Sequence, residues 1–282
     1  MNKKLFLYGT LILGLALVSC NKAKQKNGNS ATATNTVVAE QESPAVKQTM
    51  NTAAQIYAKP EVPVLCYHRI CEGNKGDYTV TPTTFTSHMK ILADSGYHSI
   101  SPAQLYDYLV YNKSLPAKPF MITFDDSRVE HFTSAAPIMH KYGFRGAFFI
   151  MTITYNKKNY MTTEQIAQLA KEGQTVGLHT WDHTMVTKFK DSIDWKKEII
   201  EPKKKLEGIV GMPVEYFAYP NGVFNHKAAE EISKYFKISF SLYSKRDSIQ
   251  PLQCVRRIIV PECSAERMLK SMKRTFEKIN KK

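Results

Sequence analysis

The chain has 282 residues, 43% of them hydrophobic and 23% charged, which excludes a wholly disordered protein and leaves length for one large domain or two small ones. A formal charge of +14 raises the question of an anionic partner, but the charge is dispersed, with six Lys and two Glu already in residues 1–57. The run from Lys188 to Lys205 interleaves its lysines with Asp191, Asp194, Glu198 and Glu201, so it reads as a solvated helix with internal ion pairs. No aromatic-interleaved basic motif or helix-turn-helix pattern is present, and nucleic-acid binding is not expected.

At the N-terminus, Lys3 and Lys4 precede an apolar stretch, Leu5 to Val18, that ends in Leu17-Val18-Ser19-Cys20. This resembles a bacterial lipoprotein signal over residues 1–19, and the resemblance implies an exported chain anchored to an envelope membrane through an acylated Cys20. Residues 20–57 are rich in Asn, Ala, Thr, Lys and Gln without a sustained period, and are expected to be a disordered tether. The folded domain is then 58–282, expected to be a monomer. Its cysteines, Cys66, Cys71, Cys254 and Cys263, lie in a compartment that permits disulfides, but sequence does not choose between bridges and buried free thiols.

From Pro60 onward short apolar runs alternate with amphipathic segments, the pattern of parallel strands joined by helices. Strands are predicted at Val62 to Tyr67, Tyr97 to Ile100, Phe120 to Phe124, Gly146 to Ile150, Thr175 to Leu178, Tyr216 to Tyr219, Lys237 to Leu242 and Val255 to Val260. Thr81-Pro82 and Ser101-Pro102 place a capping hydroxyl before a first-turn proline, Thr162 with Gln165 reads as a capping box, and a final amphipathic helix spans Ala265 to Ile279. Because the strands are continuous apolar runs, burial on both faces and a distorted (β/α) barrel of seven to eight strands are expected, with an open doubly wound sheet as the competitor.

Chemistry gathers where these strands end. Phe120-Met121-Ile122-Thr123-Phe124 stops in Asp125-Asp126, and Thr175-Val176-Gly177-Leu178 runs into His179-Thr180-Trp181-Asp182-His183. Parallel α/β folds bind ligands at this end of their strands. Two histidines and an Asp pair there supply a His/His/carboxylate metal site with open positions.

These segments resemble the polysaccharide deacetylase family, over most of Pro60 to Pro261. Thr123-Phe124-Asp125-Asp126-Ser127 is similar to its first motif and His179-Thr180-x-x-His183 to its second. The resemblance implies Asp126, His179 and His183 as ligands of a divalent metal, Zn first with Co, Ni or Fe compatible, and Asp125 as general base. Phe217-Ala218-Tyr219-Pro220-Asn221-Gly222 is similar to the third motif, which implies an oxyanion contact from the Asn221 backbone N–H. The arginine that usually orients the base is missing there, with Ala218 near its place and Arg256 or Arg257 as substitutes. The family's C-terminal acid histidine is also missing, since no histidine follows His226.

Val62-Pro63-Val64-Leu65-Cys66-Tyr67-His68-Arg69 instead resembles the opening of the subgroup acting on poly-β-1,6-N-acetylglucosamine, which implies His68 as general acid. Trp181, Tyr67, Tyr219 and Arg257 are the expected contacts to an acetylated polysaccharide. His88, His98, His131, His140 and His226 have no motif context and read as ordinary surface or core residues. The expected activity is metal-dependent removal of N-acetyl groups. An O-acetyl esterase of xylan-like glycans, a non-catalytic glycan-binding lipoprotein and a two-carboxylate glycosidase are the rivals, the last leaving His179 and His183 unexplained.

Overall fold

The computed structural model describes residues 49–276 apart from 74, 75 and 77; the signal segment, Cys20 and most of the expected tether lie outside the described residues. The strands in chain order are Val64–Tyr67 (β1), Arg69–Ile70 (β2), Thr79–Val80 (β3), His98–Ser99 (β4), Pro119–Phe124 (β5), Ala147–Ile150 (β6), Thr175–Leu178 (β7), Tyr216–Ala218 (β8), Ile238–Ser241 (β9), Val255–Arg256 (β10) and Ile258–Ile259 (β11). The principal helices are Ala53–Ala58 (α1), Pro82–Asp94 (α2), Pro102–Tyr111 (α3), Ala136–Lys141 (α4), Thr163–Lys171 (α5), Ser192–Trp195 (α6), Glu201–Val210 (α7), His226–Ser233 (α8) and Ala265–Phe276 (α9). Among the described residues no helix is long and apolar enough to cross a membrane.

The main sheet runs β10-β9-β8-β7-β6-β5-β1-β11, all parallel, with β4 added to the start of β5. Its two ends belong to one stretch of chain: β10 pairs with β9, β11 pairs with β1, and the residue between them, Arg257, donates its backbone N–H to Ser241 O at 3.1 Å. The sheet therefore wraps into a nearly closed barrel with helices outside, as the continuous apolar strands require.

Side-chain direction follows the two-residue period of a strand. One set, including Val64, Met121, Ala147, Phe149, Tyr216, Ala218, Ile238 and Phe240, packs together inside and toward α1 and α3. The alternate set, including Leu65, Tyr67, Ile122, Phe124, Phe148, Leu178, Phe217 and Tyr219, packs outward under the other helices. The interior is tight enough to require Gly177, where a Cβ would sit 2.6 Å from the Phe149 ring and 2.8 Å from Tyr216 O.

The caps at Thr81, Ser101 and Thr162 all accept the backbone N–H three residues on, the last two as full capping boxes. At the other end of the domain, residues 49–57 depart from the expected tether. Thr52 caps α1, Ile56 is buried, and Asn51 donates to Leu109 O at 2.8 Å. Arg246 fastens this segment through Lys59 O and Ile56 O, so packing begins before residue 58.

Candidate active site

The inward set that is apolar deep in the barrel continues upward as Cys66 in β1 and His68 after it, Thr123 in β5 and Asp125 after it, and His179 after β7. Asp125 is buried, and its carboxylate accepts a bidentate pair from Arg257, Nη1 to Oδ1 at 2.7 Å and Nη2 to Oδ2 at 2.8 Å. Thr123 Oγ1 accepts from the same Nη1 at 3.1 Å and donates to Leu65 O at 3.0 Å. Burial alone would push the Asp125 carboxyl up, but the Arg257 charge outweighs it and holds the acid well below the usual carboxylate range. The Cys66 thiol donates to Asp125 Oδ2 at 3.6 Å, while His68 Nε2 stands 4.0 Å from that oxygen.

Asp126 faces elsewhere because the chain turns sharply: it and Ser127 have φ of 73° and 57°. Ser127 holds the turn by accepting the Met151 N–H on its Oγ at 2.7 Å. Asp126 Oδ1 lies 3.7 Å from His179 Nε2 and 3.6 Å from His183 Nε2. His179 donates Nδ1–H to Ala218 O at 2.7 Å, so its Nε2 lone pair is aimed at Asp126. Burial pushes the His179 pKa down against the pull of Asp125 and Asp126, which keeps the ring neutral as a ligand must be. The loop to His183 is held by Thr180 Oγ1, which accepts the His183 N–H at 3.0 Å. Thr180, His183 and Asn221 also have positive φ, so backbone strain collects in the loops around this site, as it does where function over-determines conformation.

The donor set fits a divalent cation. Two imidazole nitrogens and one carboxylate oxygen converge, at separations that one ion with bonds of about 2.0–2.1 Å can bridge. Cys66, His68 and Asp125 also lie close together, but Arg257 occupies both Asp125 oxygens and its charge opposes a cation there.

Comparison with known proteins agrees with this architecture. The profile of the polysaccharide deacetylase family matches residues 112–236. Over these residues the chain matches the polysaccharide deacetylase domain. It is 30% identical over 174 residues to the Bacillus subtilis protein YxkH, a match that covers 61% of this chain and 61% of that protein, less than two thirds of its length. It is 26% identical over 213 residues to the poly-β-1,6-N-acetyl-D-glucosamine N-deacetylase of Staphylococcus aureus strain MRSA252, covering 69% and 72% of the two chains. Among solved structures, the Streptococcus pyogenes deacetylase PplD, in complex with acetate, superposes with a TM-score of 0.70 over 76% of this chain and 99% of that one, at 24% identity.

Within the deacetylase domain, Asp125, Asp126, His179, His183 and His68 meet at one end of the barrel, whereas the expected substrate contacts separate. Tyr67 and Tyr219 are fully buried and are corrected to core residues: each falls on the outward parity of its strand, one residue out of step with the interior. Tyr67 donates its hydroxyl to His88 Nδ1 at 3.1 Å and packs edge-on against Phe85 at 4.9 Å; Tyr219 packs against Phe217 and Phe224.

Arg257 pairs with Asp125, the place for which Arg256 or Arg257 was the expected substitute, and is corrected only as a contact to substrate, while Arg256 turns away to Glu61. Trp181 is partly exposed under the Lys197 ammonium, 4.4 Å from the ring centroid, and Asn221 is exposed.

The four cysteines of the domain are free thiols. Sequence reasoning missed Cys66, which touches Asp125, and Tyr78, whose exposed ring lies 5.1 Å from that of His68. The inward parity of β1 was the available signal for Cys66; Tyr78 follows a segment without a motif.

Proposed function

We propose that the chain is a metal-dependent hydrolase that removes N-acetyl groups from an N-acetylglucosamine-containing polysaccharide and releases acetate. The observation that carries this reading is the different treatment of two adjacent carboxylates: Asp125 is held ionised by Arg257, while Asp126 faces His179 and His183. The similarity to the staphylococcal N-deacetylase supports an amide substrate.

Asp126, His179 and His183 would hold the cation. When bound, it supplies Lewis-acid activation of water and of the amide carbonyl. Asp125 accepts the proton of the attacking water; Oδ1, which accepts from Arg257 Nη1, keeps a second lone-pair direction for this purpose, whereas Oδ2 already accepts from Arg257 and Cys66. His68, on the same side of the barrel as Asp125, delivers a proton to the departing nitrogen, because an amine anion does not leave in water. The backbone N–H of Asn221 steadies the developing oxyanion, and the exposed face of Trp181 offers apolar contact to a sugar ring. The lipoprotein-like N-terminus would hold the domain at an envelope membrane through Cys20; Cys20→Ser is then expected to shift the protein from the membrane fraction to the soluble one.

Acetate release from partially acetylated poly-β-1,6-glucosamine, set beside acetylated xylan, tests the reaction. Release from the amide polymer supports it. Release from xylan alone transfers the site to ester hydrolysis, where an alkoxide leaves more easily and His68 matters less.

A further inference from the structure

We propose that His131 is a positioning residue that aims His68, acting through the backbone of that residue; the inference rests on the reading of His68 as proton donor. Among the described residues the side chains around the His68 ring hold it only at long range. Its Nδ1 is 3.9 Å from Cys66 Sγ, its Nε2 is 4.0 Å from Asp125 Oδ2, and Tyr78 lies against it at 5.1 Å between centroids. With side-chain contacts this long, the direction of the ring depends also on the main chain from which it projects, in the step between β1 and β2.

That step is clamped by two consecutive residues of another segment. His131 donates Nε2–H to His68 O at 2.5 Å, and Glu130 ion-pairs with Arg69. Arg69 in turn donates its backbone N–H to Tyr78 O at 3.1 Å. The clamp opens a π-helical turn, His131–Ala135, a conformation that occurs mostly as single turns at functional positions. The same segment follows directly on the Asp125-Asp126 turn, so one stretch of chain carries the base and holds the backbone of the acid.

Core stability does not account for a histidine here. His131 is fully buried between Phe124 and Phe148, with ring centroids 5.1 and 6.3 Å away. Among the described residues its Nδ1 has no hydrogen-bond partner, so the ring carries a desolvation penalty that an apolar residue of similar size would avoid. Burial pushes its pKa down to about 4, which leaves a neutral imidazole whose one proton is on the nitrogen facing His68 O. What this histidine supplies and a phenylalanine does not is that single N–H.

His131→Phe keeps the volume and removes the donor, whereas His131→Gln keeps an N–H near the position of Nε2. The direct readout is the side-chain NMR signal of His68, assigned by its disappearance in His68→Ala. His131→Phe is expected to shift and broaden that signal, and His131→Gln to restore it. On partially acetylated poly-β-1,6-glucosamine, His131→Phe should lower kcat by roughly 10–100-fold with KM little changed, the scale of a misplaced reacting group. The same substitution made in the His68→Ala background should have no further effect.

A His68 signal unchanged by His131→Phe, or an equal fractional loss in both backgrounds, would overturn the proposal. Should His131→Phe fail to fold, the comparison of His131→Gln with the shorter His131→Asn decides it. Only Gln should leave the His68 signal as in the parent chain, and equal spectra for the two contradict the clamp. Undiminished turnover in His68→Ala removes the proton-donor reading instead, while the NMR result still decides whether His131 orders that ring.

Discussion

Arg256 and Arg257 are neighbours on the stretch that closes the barrel, both are buried, and each is paired with a carboxylate. They nevertheless point to opposite sides of the wall, and their surroundings differ. Arg256 donates to both oxygens of Glu61 at 2.6 and 2.5 Å, and to Ser244 O and Thr275 O at 2.8 Å. It joins the segment before β1, the loop after β9 and the end of α9, and all its donor nitrogens are engaged. Arg257 spends Nη1 and Nη2 on Asp125 and Thr123 and leaves Nε without a partner. The difference teaches how to tell a staple from a tuned group. A pair enclosed by backbone acceptors holds structure, whereas one whose carboxylate lies among titratable side chains sets the protonation of a site.

Substitutions should separate the two. Asp125→Asn has the largest expected effect on turnover, a loss of about 10²–10⁴-fold with cation content retained, read by acetate release together with metal analysis of the purified chain. Loss of the metal along with activity would mean that Asp125 belongs to the ligand set. Arg257→Met should follow, with turnover lower by roughly 100-fold, the cost of a mispositioned group; a normal rate would show that Asp125 needs no such partner. Glu61→Gln should leave turnover near the parent value and lower stability by about 3–5 kcal/mol, as breaking a buried pair does, measured by urea unfolding. A loss of activity in that variant without loss of stability would erase the distinction between the two arginines.

Much of this was legible in the sequence because strands buried on both faces are written as local apolar runs. Thr175–Leu178 is found where predicted, Phe120 to Phe124 begins one residue earlier, Val255 to Val260 is split into two short strands, and the others are trimmed by one or two residues at their ends. The DD and HxxxH segments were legible for a related reason, since they follow those runs directly. What was left open or escaped is non-local or depends on parity, beginning with the choice between Arg256 and Arg257. Arg257 reaches Asp125 across 132 positions, and only closure of β9 onto β1 through one split strand brings them together. Tyr67 and Tyr219 lie beside motif residues in the text, yet one step along a strand reverses the face. His131 acts on a backbone carbonyl 63 positions away, a relation that leaves no mark in residue type. Residues 49–57 look like tether by composition, and their order comes from docking, through Asn51 and Arg246.

The central claim is that turnover depends on one cation held by Asp126, His179 and His183. Its most direct measurement is a titration of Zn²⁺ into the metal-stripped chain, following bound metal and acetate release together in the parent and in His179→Ala. The account predicts that activity in the parent is absent without metal and reaches a plateau at one equivalent, and that His179→Ala neither retains the ion nor regains turnover. Full acetate release by the metal-free parent, or by His179→Ala, would contradict it.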